Sequence, residues 1–149
     1  MKRYWVIFFI LFLISGCQVQ ERTTNLFLIP EGHIGWVFAG FNQSEYEELQ
    51  KEGDFLIFKF DNNGELRTST MYPETGVARD QFYYMNKNGK KGKEIDQETM
   101  IHGMAIGNIG EVKEKIETSA TQVLFFFVGT EEDYNNAKPF EFPEDLKDF

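Results

Sequence analysis

Residues 55–64, FLIFKFDNNG, contain the two signals that decide the fold, an alternating apolar run and a turn directly after it. Leu56, Phe58 and Phe60 fall on one face of an extended chain, because successive side chains of a strand point to opposite sides. The DNNG segment is typical of a hairpin turn, since Asn-Gly supplies the positive φ angles that such turns require. Leu66–Thr70 is then expected to return from this turn as a second strand.

Short apolar runs separated by turn signals recur along the chain and predict an all-β domain. Asn86–Gly89 is a second turn of the same kind, and Gln122–Val128 is nearly all apolar, so we expect it to be buried on both faces. Runs of this length and spacing are typical of a sandwich or barrel, and we predict a small antiparallel β-sandwich with short helical turns. The predicted strands are Leu26–Ile29, Gly35–Phe41, Phe55–Phe60, Leu66–Thr70, Gln81–Met85, Gln122–Val128, and Met100–Ile109 loosened by Gly103 and Gly107.

Helical signal is confined to short segments. The S-x-x-E pattern of residues 44–47 is that of a capping box before a helix predicted over Tyr46–Lys51. Thr130 predicts a capped turn through Glu131–Ala137. The other assignments are a solvated loop or short helix over Glu111–Thr118, and an acidic tail, Pro139–Phe149, that either extends along the domain or is mobile.

The N-terminus has the parts of a bacterial lipoprotein signal. Lys2 and Arg3 supply positive charge, and Tyr4–Ile14 is an apolar run of 11 residues. This run is shorter than the about 20 residues that a membrane-spanning helix needs. It ends in ISGC, which resembles a lipobox, where small residues precede the cysteine that accepts the lipid. We expect residues 1–16 to be a signal peptide, residues 17–25 to be the lipidated Cys17 and a linker, and residues 26–149 to be the domain.

Cysteine usage and charge restrict the partners. Cys17 is the only cysteine, which excludes a disulfide within the chain and a thiolate metal site. Residues 1–16 carry two positive charges and no negative ones, so their removal changes the formal net charge from −9 to −11. Such a domain is expected to be repelled by nucleic acid and by anionic lipid headgroups. The predicted partners are the cell membrane, reached through the lipid on Cys17 at the extracytoplasmic face, and an envelope protein or cell-wall component.

The sequence contains no pattern that predicts a catalytic, cofactor or metal site. His33 and His102 are the only histidines and lie 69 positions apart, so we expect structural roles for both. No G-x-S-x-G motif is present for nucleophilic hydrolysis. Asp61–Glu65 is not followed by the Gly and Glu that a calcium loop requires. Gly103–Gly110 matches no phosphate-binding loop, and its glycines are better explained by bulges or close strand contacts.

Three segments carry a resemblance to a known family. The stretch FLIPEGHIGWV, residues 27–37, is similar to the opening of a family of bacterial lipoproteins of unknown function, mostly from Gram-positive bacilli. DQFYY (residues 80–84) and FFVGTEE (residues 126–132) fit the same family. The resemblance implies a compact β domain without an assigned activity. The strand-opening pattern also resembles small transthyretin-like, or prealbumin-like, sandwiches.

Trp36, Arg79 and Asp80 lie in or beside these family-like segments, and we predict them as a binding surface. The lipid signal, the single domain and the lack of catalytic motifs favour a membrane-tethered, non-catalytic binding module. The alternative hypothesis is an envelope hydrolase that uses carboxylates, since such chemistry depends on spatial separation rather than on sequence spacing. A third hypothesis is a surface-coating protein without a specific partner.

Overall fold

The computed structural model describes residues 21–109 and 121–146. The predicted signal peptide and Cys17 lie outside the described residues, as do the segment Glu111–Thr118 and the end of the tail. The described chain forms two sheets that pack face to face, with only short helices beside them, which confirms the predicted all-β sandwich.

In chain order the strands are β1 (Thr24–Ile29), β2 (Gly35–Gly40), β3 (Lys51–Glu52), β4 (Phe55–Lys59), β5 (Glu65–Arg67), β6 (Gln81–Met85), β7 (Lys91–Glu94), β8 (Ile101–Ile109) and β9 (Thr121–Val128). The helices are α1 (Gln97–Met100) and α2 (Glu131–Asn136), followed by a 3-10 turn at Glu144–Leu146. The first sheet has the order β3-β4-β1-β6-β7, and the second sheet has the order β5-β2-β9-β8.

Both sheets are mixed, so the expectation of purely antiparallel pairing is wrong. β1 runs parallel to β4 and to β6, and β2 runs parallel to β5. The other pairs are antiparallel. The reason is that the chain changes sheet after β1, β2, β4, β5 and β7. The chain reaches the parallel partners of β1 only after it has passed through the second sheet, by β2 before β4 and by β5 before β6, which supplies the long connection that parallel pairing requires.

The DNNG segment forms a tight turn but does not join a hairpin. Asp61 Oδ1 accepts hydrogen bonds from the amides of Asn63 (2.8 Å) and Glu65 (2.9 Å). β4 already has β1 and β3 on its two edges, so the returning strand cannot pair with it and joins β2 in the other sheet. The turn at Asn86–Gly89 does join a hairpin, because β1 occupies only one edge of β6 and the other edge pairs with β7.

Phenylalanine rings fill the space between the sheets. Phe27, in the middle of β1, is fully buried, and its ring centroid lies 4.8 Å from that of Phe58, 4.7 Å from Phe82 and 5.3 Å from Phe126. Phe58 and Phe82 belong to the two neighbouring strands of the first sheet, whereas Phe126 belongs to β9 of the second sheet. The ring of Phe27 therefore joins the two sheets at the centre of the core.

The tail covers the outer face of the second sheet. The ring of Phe125, on β9, stacks on Phe140 with centroids 4.4 Å apart, and Leu146 is buried beside them. Arg67 Nη1 lies 2.7 Å from Asp145 Oδ2, and this hydrogen bond lowers the pKa of Asp145. β9 is thus buried on both faces as predicted, and the described part of the tail extends along the domain.

Helix α2 follows the prediction. The amide of Asp133 donates to Thr130 Oγ1 at 3.2 Å, and the amide of Thr130 donates back to Asp133 Oδ2 at 2.9 Å, which is a complete capping box. Helix α1 was not predicted, because it has only four residues and ends at Met100, which the sequence assigned to the following strand. Its N-cap is Asp96, whose side chain accepts a hydrogen bond from the amide of Glu98.

The helix predicted over Tyr46–Lys51 is wrong, because this segment follows a turn at residues 44–45 and runs as irregular chain into β3. Its backbone groups have partners elsewhere in the fold. The amide of Leu49 donates to Thr70 Oγ1, and the carbonyl of Gln50 accepts from the amide of Ile57, both at 2.9 Å. These tertiary hydrogen bonds replace the ones that a helix would make within the segment.

Replacing Phe27 with Ala is expected to lower the free energy of unfolding by about 3–5 kcal/mol, because it removes the ring that contacts both sheets and leaves a cavity. Urea denaturation of residues 17–149 carrying Cys17→Ser measures the change. Met71→Ala, at a side chain that is 63% exposed, is the control and should change the free energy by less than about 0.5 kcal/mol. Equal effects of the two substitutions would contradict the central position of Phe27.

Candidate functional site

Three turns that stand out in the sequence meet at one end of the sandwich. They follow β1, β4 and β6, and they comprise residues 30–33, 61–64 and 86–89. Because these strands are parallel and in register, with Leu28 opposite both Lys59 and Tyr83, their carboxyl ends lie level with one another. We call the space that these three turns enclose the turn groove.

The turn groove is an open depression of about 500 Å³. Phe60, which is 2% exposed, lies at its base and connects it to the core. The lining comes from the three turns and from the strand ends before them. It comprises Pro30 and Glu31 at the first turn, Lys59, Phe60, Asp61 and Asn62 at the end of β4 and in the second turn, and Met85, Asn86, Lys87 and Gly89 at the end of β6 and in the third turn.

Side-chain-to-backbone hydrogen bonds hold the second and third turns in the same way. Asn86 Oδ1 accepts from the amides of Asn88 (2.9 Å) and Lys90 (3.1 Å), which repeats the bonds that Asp61 makes in its own turn. Gly89 has φ +68°, and a Cβ atom there would lie 2.9 Å from Lys59 Nζ. A glycine at this position therefore lets the Lys59 ammonium group approach the third turn.

The turn groove brings cationic side chains together in a chain of negative net charge. Lys59 and Lys87 are exposed on its walls, and within the described residues neither forms an ion pair. Each ammonium group can donate three hydrogen bonds. The nearby Asp61 carboxylate already accepts two backbone amides. Glu31 adds an exposed carboxylate to the same lining, so the formal charges of the groove balance, and its two ammonium groups are the donors available to an anionic group.

At the opposite end of the sandwich, Arg22 holds the start of β1 to the loop before β6. Arg22 Nη1 and Nη2 donate to the two carboxylate oxygens of Asp80 at 2.8 and 2.6 Å, and the amide of Asn25 donates to Asp80 Oδ1 at 3.0 Å. The two charged side chains are only 13% and 10% exposed. The hydrogen bond to Asp80 raises the pKa of Arg22, so the guanidinium group stays charged. We call this bidentate pair the N-terminal clamp.

Further hydrogen bonds extend the N-terminal clamp along the same loop. Arg22 Nε donates to the carbonyl of Gly76 at 3.3 Å, and the Arg22 amide donates to the carbonyl of Val77 at 3.4 Å. The amide of Thr23 donates to Glu74 Oε2 at 3.1 Å. Arg22 and Thr23, which the sequence assigns to the linker, are therefore fixed to the body of the domain.

The structure does not bring the predicted surface of Trp36, Arg79 and Asp80 together. Trp36 lies on the tail-covered side of the second sheet, and its Nε1 donates to the carbonyl of Lys138 at 2.8 Å. Asp80 lies at the first sheet and is bound by Arg22 rather than by Arg79, which is exposed. Arg79 and Asp80 are therefore neighbours in the sequence that form no ion pair with each other, and a role for these three residues in binding stays a prediction.

Both histidines contact backbone carbonyl groups. His33 Nε2 lies 3.3 Å from the carbonyl oxygen of Trp36, and His102 Nε2 lies 3.1 Å from that of Gly129. The His102 ring also stacks on Tyr134, with centroids 5.2 Å apart. In the part of the chain that the structure describes, no three His, Cys, Asp or Glu side chains meet in a way that could hold a metal ion.

The chain belongs to a family of unknown function, DUF6843, whose model matches residues 21–135 and so includes the N-terminal clamp and all three turns. A 2.75 Å crystal structure of a candidate lipoprotein from Bacillus anthracis is similar to it, with 26% identity over 84% of each chain and a TM-score of 0.63. No curated protein matches the chain. Within residues 21–109 and 121–146, no helix is long and apolar enough to cross a membrane.

Sequence analysis missed Arg22 and the grouping of the three turns. Arg22 lies in the polar segment assigned to the linker, and its partner is 58 positions away. Only the knowledge that β1 and β6 are neighbours would have connected the two residues. The turn groove was hidden for the same reason, because an antiparallel arrangement would have placed successive turns at opposite ends.

Asp80→Asn is expected to open the N-terminal clamp, because it removes the charge that binds Arg22. Loss of a charge-assisted hydrogen bond costs about 1.5–3 kcal/mol, so trypsin cleavage after Arg22 should become about tenfold faster or more. Mass spectrometry of the released N-terminal peptide follows this cleavage. Asp54→Asn, at an exposed residue, is the matched control and should cleave like the wild type. Unchanged cleavage after Arg22 in Asp80→Asn would show that the clamp does not protect this site.

Proposed function

We propose that this protein is a lipoprotein anchored through Cys17 to the extracytoplasmic face of the cell membrane. Its sandwich acts as a non-catalytic binding module that presents the turn groove to an anionic component of the cell envelope. The observation that carries the proposal is the placement of the groove and the N-terminal clamp at opposite ends of three parallel strands.

Several observations support the anchor. Cys17 is the only cysteine and closes an ISGC segment behind an apolar run. The similar crystal structure is that of a candidate lipoprotein. Only three residues separate Cys17 from Glu21, where the described chain begins, so a fully extended connection spans at most about 14 Å. The sandwich is therefore held close to the point of attachment.

The topology supports binding at the far end. β1 starts beside the N-terminal clamp and ends at the first turn, and its six residues span roughly 20 Å at about 3.3 Å each. An anchor at Cys17 therefore leaves the turn groove facing away from the membrane, where an envelope component can reach it. Loops at one end of a sandwich are a frequent location of binding sites, because the rigid sheets fix their positions.

The charges in the groove indicate the kind of ligand. Lys59 and Lys87 offer ammonium groups without competing ion pairs among the described residues. The protein as a whole is acidic, with a formal net charge of −11 once residues 1–16 are removed. The negative net charge weakens the general attraction of polyanions to the domain. An anionic ligand therefore gains contacts mainly at these two lysines.

Cys17→Ala is expected to abolish lipidation and leave an unprocessed precursor. Detergent phase partitioning with mass spectrometry of the N-terminal peptide checks this outcome, with the wild-type chain expected in the detergent phase and carrying a diacylglyceryl group. A conservative control, Ser15→Ala, keeps a small residue before the cysteine and should be processed normally. A wild-type chain that lacks acylation, or a Cys17→Ala chain that is still processed and acylated, would refute the anchor.

Lys87→Glu is expected to weaken binding of the purified domain to isolated envelopes of the producing bacterium by about tenfold or more. The basis is that a charge-assisted contact contributes about 1.5–3 kcal/mol and that about 1.4 kcal/mol corresponds to a factor of ten. Lys93→Glu, the same substitution at an exposed residue of β7, is the matched control.

Equal binding by Lys87→Glu, Lys93→Glu and the wild type would remove the turn groove as the binding site. Release of soluble fragments from the envelopes, abolished by a single Asp or Glu substitution, would instead support the hydrolase hypothesis. Saturable binding without such release supports the binding module.

A further inference from the structure

The loop between β5 and β6 exposes large apolar side chains at the anchored end of the sandwich. Met71, Tyr72 and Val77 are 63%, 61% and 64% exposed, respectively. We propose that this loop, residues 69–80, rests on the lipid bilayer beside the anchor and sets the orientation of the domain. The inference rests on the proposed lipid anchor at Cys17 and assigns a membrane-contact surface to the described domain.

The position of Val77 follows from the backbone. Glu21 forms a parallel bridge with Val77, and the amide of Arg22 donates to the Val77 carbonyl. Glu21 is four residues from Cys17, so Val77 lies within about 14–20 Å of the attachment point even along an extended chain. A lipid on Cys17 therefore brings this apolar side chain to the level of the headgroups.

Hydrogen bonds of Thr70 and Glu74 hold the remainder of this loop at the anchored end of the sandwich. Thr70 Oγ1 accepts from the amide of Leu49, and the Thr70 carbonyl accepts from the amide of Asn42, which fixes the chain directly before Met71. Three residues further on, the Glu74 carboxylate accepts from the amide of Thr23. Met71 and Tyr72 are thus presented between two fixed points, one of which belongs to the N-terminal segment.

The chemistry of the loop matches a bilayer interface. Tyrosine is enriched at the headgroup level, where its ring is buried and its hydroxyl stays hydrated. Arg79 in the same loop is exposed and forms no ion pair within the described residues, so it can bind anionic headgroups. The Glu74 carboxylate is already bound to a backbone amide. These contacts offset the repulsion between an acidic domain and an anionic membrane.

The test measures depth at single sites of the full lipoprotein. Lipidation consumes the thiol of Cys17, so Val77→Cys provides the one reactive thiol, which is labelled with an environment-sensitive fluorophore. The lipoprotein is purified from membranes and reconstituted in phosphatidylcholine–phosphatidylglycerol vesicles with or without lipids that carry a nitroxide quencher. Lys87→Cys and Asn62→Cys, both at exposed residues of the turn groove, are labelled in the same way as controls. Tyr72→Cys serves as a second loop position should Val77→Cys disturb folding.

The nitroxide lipids are expected to reduce the fluorescence at Val77 or Tyr72 by about twofold or more, because an interfacial side chain enters the headgroup and upper acyl region. The two control positions should be unaffected. A protein that floats with the vesicles but shows no quenching at either loop position overturns the loop inference alone. Quenching at all positions equally overturns it as well, since the domain would then have no fixed orientation. A protein that does not float overturns the anchor first, and the inference with it.

Discussion

Phe27 pairs with Phe58 on one side and with Phe82 on the other, so three rings from adjacent strands lie at one level of the first sheet. This packing fixes the register of β4 and β6 against β1, because a slip by one residue would turn each apolar set toward solvent. Phe126 then meets the same cluster from the opposite sheet. Level strand ends are the direct consequence of this register, and they give the sandwich two chemically distinct ends.

The outer face of the second sheet is covered by the tail of the chain. β9 carries apolar side chains on both sides, and its outer phenylalanines would contact water without the tail, where Phe140 and Leu146 cover them. Trp36 and the Arg67–Asp145 pair fasten this tail at separate points. The tail is therefore a third layer of the fold, and it covers this face of the second sheet.

The sequence allowed prediction of those elements whose determinants are local. The turns at Asp61 and Asn86 and the capped helix after Thr130 depend on residues within four positions, and all three form. The partner of a strand is not a local property. Strand β5 follows the turn at Asp61 but cannot pair with β4, because β1 and β3 occupy both edges of β4. Leu49 and Gln50 form tertiary hydrogen bonds instead of a helix. The turn groove and the N-terminal clamp combine distant segments, so no local pattern could indicate either of them.

An ion pair suits the N-terminal clamp better than an apolar contact would. Apolar burial stabilises without fixing direction, whereas the two parallel hydrogen bonds between Arg22 and Asp80 allow one relative orientation of the incoming chain and the sheet. The pair lies where the proposed anchor meets the domain, so a change in its angle would tilt the whole length of β1. Over a strand of roughly 20 Å, even a small tilt displaces the turns at the far end by several ångströms. The clamp therefore fixes the direction in which the N-terminal segment enters the first sheet, at the end opposite the turn groove.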